Sequence, residues 1–96
     1  GKIIHLKNEG IEDISIYGIN HISEVLFIVL KELGLELASV VEEKKEGEVW
    51  FGYNVIGMEE FVENKDSVLI FASFDQSEID SFCKEYEDVK VVALRE

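Results

Sequence analysis

Residues 18 to 23 carry the spacing in this chain that comes nearest to chemistry: Gly18-x-Asn20-x-x-Ser23, set between an apolar run and a helical pattern. A phosphate-binding turn of this kind uses glycine at all three places. The first glycine makes the tight turn, the second lets backbone N–H groups approach a pyrophosphate, and the third allows the next helix to pack closely on a strand. Gly18 meets the first requirement, and Ser23 is small enough for the third. Asn20 departs at the second. Its side chain occupies space that a pyrophosphate needs, although asparagine tolerates a left-handed backbone. The expectation is a weak anion or nucleotide site served by free N–H groups at a helix start, with standard NAD binding disfavoured.

Other residues join this candidate site by position. Glu42 follows Gly18 by about 24 residues, the place where an acidic side chain meets the adenine ribose in dinucleotide-binding turns. In a Glu/Lys-rich loop the same residue also reads as a solvated charge. His21 sits in the first turn of the expected helix, within reach of a phosphate or facing solvent. Ser73 falls at the carboxyl end of a later strand, the edge where open parallel sheets bind ligands. The expected ligand-binding set is therefore Gly18, Asn20, His21, Ser23, Glu42 and Ser73.

Catalytic arrangements are missing. No cysteine–histidine pair has metal-ligand spacing. Neither Ser73 nor Ser77 has a histidine or acid at motif spacing, and there is no Gly-x-Ser-x-Gly elbow or Walker lysine. No catalytic residue and no metal ligand is assigned, and the chain is not expected to be an enzyme on its own. Cys83, the single cysteine, lies on the apolar stripe of a helix and reads as a buried structural thiol.

The elements that must position these residues alternate. A strand over residues 14–17 ends at Gly18. A helix over 21–33 follows, with Asn20 as N-cap and Gly34 as its stop. Its apolar stripe is Ile22, Val25, Leu26, Val29, Leu30 and Leu33. A second strand covers 36–41, then a charged loop 42–48. Residues 54–56 read as a short strand, and 58–64 as a short helix with Met58, Phe61 and Val62 facing inward. The apolar run 67–72 fits a strand buried on both faces. A helix over 76–86 presents Ile79, Phe82, Cys83 and Tyr86, and a last strand covers 89–94. Strand–helix alternation implies a three-layer α/β domain with a parallel five-stranded sheet ordered 3-2-1-4-5. Residues 1–12 lack clear periodicity and read as a linker or tag remnant, with Gly1 as an expression scar; residues 13–96 form the domain.

Composition bounds the function. Ninety-six residues make one small domain. With 21 acidic residues against 9 basic, the net charge is −12. Such a surface repels nucleic acid and anionic membrane, so no direct contact with either is expected. One cysteine and no long apolar run fit a cytoplasmic protein.

Residues 13 to 93 resemble the small Rossmann-like domain at the N-terminus of sugar O- and N-acetyltransferases of surface-polysaccharide pathways. They also resemble the related domain that follows a winged helix in some bacterial transcription regulators. The resemblance rests on Ile16-Tyr17-Gly18, on Val40-Val41-Glu42-Glu43, and on the stretch from Gly47 through Phe51-Gly52 to Val55 and Glu59-Glu60. In the acetyltransferases this domain helps bind the sugar-nucleotide substrate; their catalytic hexapeptide repeats are absent from this chain. The resemblance implies a non-catalytic module that binds or senses a nucleotide or nucleotide-sugar within a larger regulator or transferase. The alternative is an interaction domain that kept the fold and lost the ligand. Phe27 and Ile28 lie off the helical stripe, and Val49-Trp50-Phe51 adds large side chains in an apparent loop. A homodimer or a docked adjacent domain using Trp50 and Phe51, and then Phe27, is expected from that surplus.

Overall fold

The computed structural model describes residues 2–63 and 67–94. Gly1, and Asn64 at the end of the expected helix 58–64, lie outside them. Among the described residues a six-stranded sheet runs in the order β3-β4-β2-β1-β5-β6. Its strands are β1 (Ile14–Tyr17), β2 (Leu37–Val41), β3 (Val49–Trp50), β4 (Tyr53–Ile56), β5 (Val68–Phe71) and β6 (Lys90–Ala93). The helices are α1 (Lys2–Asn8), α2 (His21–Glu32), α3 (Met58–Phe61) and α4 (Gln76–Glu85).

Side-chain alternation along the strands creates two cores. Ile14, Ile16, Val40, Val68 and Ile70 face a cluster shared with Leu6 of α1 and with Leu26 and Leu30 of α2. Val41, Leu69 and Phe71 face the other side, where Met58 and Phe61 of α3 and Ile79 and Phe82 of α4 pack. Successive strand residues point to opposite faces, so a strand covered on both sides is apolar throughout. All four residues of β5 are buried accordingly. Ser15, buried beside these clusters, is satisfied across the sheet by Ser39, with the two hydroxyl oxygens 2.6 Å apart.

The sheet differs from the expected five parallel strands. Five strands are joined by parallel pairs, β4 to β2, β2 to β1, β1 to β5 and β5 to β6. The sixth, β3, pairs antiparallel with β4, placing Val49 opposite Asn54 and Trp50 opposite Tyr53. A two-residue turn makes this pairing: Phe51 has φ +46° and Gly52 φ +85°. Positive φ at both central residues suits the right-handed twist of a hairpin. Because phenylalanine rarely occupies the first of these positions, the stretch read as loop.

Three further expectations change. The segment without periodicity contains α1, and Leu6 is 5% exposed within the first core. Val62, expected to face inward, is exposed. The buried arc of α2 is rotated: Val25 is 60% exposed, whereas Phe27 packs against the first core. The cause is the hairpin, which sets Trp50 at 5.5 Å and Phe51 at 5.0 Å from the Phe27 ring. Trp50 itself is only 9% exposed, so it fills the core and does not offer the contact surface expected of it.

Candidate functional site

Gly18, Glu42 and Ser73 follow β1, β2 and β5, which are neighbours in the sheet, so all three reach its carboxyl edge. The Gly18 N–H donates to Val41 O at 2.9 Å, and the Ala72 N–H donates to Tyr17 O at 2.9 Å. Gly18 has φ +103°, a region open to glycine. A Cβ there would lie 3.5 Å from Asn20 Nδ2 and 3.7 Å from Ala72 Cβ, which are ordinary contacts. Conformation, not crowding, therefore requires the glycine.

Asn20 caps α2. Its Oδ1 accepts from the Ile22 N–H at 2.8 Å and the Ser23 N–H at 3.1 Å. Ser23 Oγ closes a capping box by accepting from the Asn20 N–H at 2.8 Å. Asn20 Nδ2 donates to Ala72 O at 3.0 Å, tying the start of α2 to the end of β5. Two of the N–H groups that an anion would use are thus held by the protein's own side chain. Ser23 is fully buried.

Comparison with protein-family models, curated proteins and solved structures finds no match to this chain.

The remaining expected residues take separate roles. His21 projects into solvent, with Nδ1 3.7 Å from Glu24, and does not join the turn. Glu42 is half-buried, and its backbone N–H donates to Ile56 O at 2.9 Å. Ser73 is a turn residue: Oγ accepts from the Asp75 N–H at 3.0 Å and donates to Glu78 Oε2 at 3.1 Å. Two residues outside the expected ligand-binding set hold this edge together. Asp75 caps α4 by accepting from the Ser77 N–H at 2.9 Å, a role that Asp75 followed by Glu78 at capping spacing could have signalled. Glu43 accepts from the Met58 N–H at 2.6 Å; fifteen residues separate the pair, and no local pattern announces it.

The edge is anionic. Burial raises the Tyr17 phenol pKa above its ordinary value, and the Glu42 and Glu43 carboxylates raise it further. Tyr17 stacks on Phe71 at 5.0 Å and meets Phe82 at 4.7 Å. A polyphosphate approaching this edge meets like charge before it meets a helix terminus already capped. Among the described residues, no cluster of three or more histidine, cysteine or acidic side chains could hold a metal ion. None of their helices is long and apolar enough to cross a membrane. Cys83 is half-buried against the second core rather than fully enclosed.

A different surface gathers apolar groups. His21, Val25, Ile28 and Glu32 lie on the outer face of α2, and all four are exposed. Of these, His21 and Val25 join Ile22, Leu26, Phe74 and Leu94 in the wall of an open hollow of about 410 Å³.

Proposed function

We propose that the chain is a Rossmann-like interaction module that pairs with a second copy of itself through the outer face of α2. The observation carrying this reading is the exposed seam His21, Val25, Ile28 and Glu32, spaced 4-3-4 along the helix, the spacing by which two helices interlock. Val25 and Ile28 are 60% and 56% exposed, more apolar surface than a solvated helix face needs. Across a twofold axis midway between them, antiparallel helices bring each Val25 against Ile28 of the second copy. The same register brings each His21 beside Glu32 of the second copy, where imidazole and carboxylate complement each other. The parallel order β4-β2-β1-β5-β6 supports the Rossmann-like description. Sedimentation equilibrium tests the reading: the wild-type chain sediments as a dimer and Ile28→Glu as a folded monomer. A wild-type monomer throughout the accessible concentration range rejects it.

A second reading keeps a nucleotide or nucleotide-sugar site within a larger regulator or transferase. It is favoured by the Gly18 turn, at φ +103°, leading into α2 at the carboxyl edge. It requires Asn20 to leave its cap. Thermal-shift titration with NAD, ATP, CoA and nucleotide-sugars tests it, and absence of any shift with millimolar ligand sets it aside.

A further inference from the structure

The opposite edge of the sheet holds a second recess. Ser67 precedes β5 and Val89 precedes β6, so the recess lies at the amino ends of these strands, away from the Gly18 turn. Its volume is about 260 Å³, with Phe61, Val62, Ser67, Tyr86 and Val89 in its walls. Glu85, Glu87 and Asp88 form the rest of the lining and are exposed to solvent.

Ser67 is the unusual member. It is 2% exposed, and its Oγ has no hydrogen-bond partner among the described residues. Leu69 and Phe71 of β5 face the α3 and α4 side, and strand alternation turns Ser67 the same way, toward the recess. A buried hydroxyl left unpaired is unfavourable and rare in folded proteins. A ligand in the recess would satisfy it.

The surroundings define the ligand's charge. Three acidic residues line one small opening, and among the described residues no basic side chain forms an ion pair with any of them. The recess also lies at the C-terminal end of α4, where the last carbonyls carry the negative end of the helix dipole. Carboxylates, carbonyls and the Ser67 oxygen all accept hydrogen bonds, so the complement is a cationic donor. The walls supplied by Phe61, Val62 and Val89 suit a short hydrocarbon stem. The volume falls below that of pockets for drug-sized molecules. We infer that this recess binds a small organic cation, an ammonium or guanidinium group on a short apolar stem.

The probes are n-butylammonium and n-butylguanidinium, with n-butanol and butyrate as controls, followed by nitrogen–proton correlation NMR of the whole chain. The cations shift the amides of Ser67 and of residues 85–89, and the controls do not. Ser67→Ala weakens cation binding about tenfold, the loss of one hydrogen bond to a charged group. Glu85→Gln combined with Asp88→Asn, both at exposed positions, weakens it by at least as much and leaves the fold intact. Equal shifts from n-butanol would reduce the recess to an apolar dent and overturn the inference. Shifts spread over the whole acidic surface, or binding unchanged in Ser67→Ala, would overturn it too.

Discussion

Asn20 shows how one side chain can close a site whose outline survives. In the sequence it is an obstruction in a phosphate-binding turn. In the structure it is a staple, with Oδ1 capping α2 and Nδ2 holding Ala72 O. Asn20→Ala loses both and should destabilise the chain by about 1–2 kcal/mol in urea denaturation. Asn20→Asp keeps the cap but loses the donor to Ala72, so its stability should fall between the two. An Asp variant as stable as wild type would show that the Ala72 bond contributes nothing. Tyr17 gives a second test at this scale. Its folded-state pKa is raised by burial and by Glu42 and Glu43, so the folded chain holds the phenol proton more tightly than the unfolded chain does. The resulting stability is fully present below the unfolded tyrosine value of about 10. It is lost as pH rises from there through the folded pKa. Tyr17→Phe should flatten the alkaline fall in melting temperature. A residual slope should follow Tyr86, whose pKa is also raised, by burial and by Glu85.

Among the elements, the hairpin of β3 and β4 has the widest consequences. It packs Trp50 into the first core, stacks Phe51 on Phe27 and so sets which arc of α2 is buried. Gly52, at φ +85° with nothing within 4 Å of an added Cβ, is needed for conformation alone. Gly52→Ala should destabilise by about 1 kcal/mol. Trp50→Ala removes a nearly buried indole and should cost about 3 kcal/mol or more. Trp50 is the single tryptophan, so its fluorescence reports hairpin docking directly. Emission should be blue-shifted in the native chain and move to the red in step with denaturation. Solvent-like emission in the native state would contradict the packing.

For the whole molecule, the −12 net charge and the apolar seam on α2 act in opposite directions. In the proposed dimer two copies would repel at long range, while Val25 and Ile28 would attract only on contact. Salt shortens the range of the repulsion and leaves apolar burial largely intact. Dimerisation measured by sedimentation should therefore strengthen as sodium chloride rises from low ionic strength. Weakening by salt would instead mean that ion pairs dominate the contact.

Local pattern in the sequence determined the βαβ start, the Asn20 cap, the turn at Gly18 and the doubly buried β5. Each depends on residues close together in the chain, where periodicity and capping act. Tertiary structure alone decided which residues meet across the chain. Glu43 finds the start of α3, Asn20 finds Ala72, and Trp50 reaches Phe27. The antiparallel β3 is not legible in the sequence because Phe51 occupies a positive-φ position that sequence patterns reserve for Asn or Gly. The buried face of α2 is not fixed by local sequence for a related reason. Helical spacing defines a stripe, but its exact rotation is fixed by the partner that covers it, and here that partner is an aromatic hairpin contributed by a distant segment.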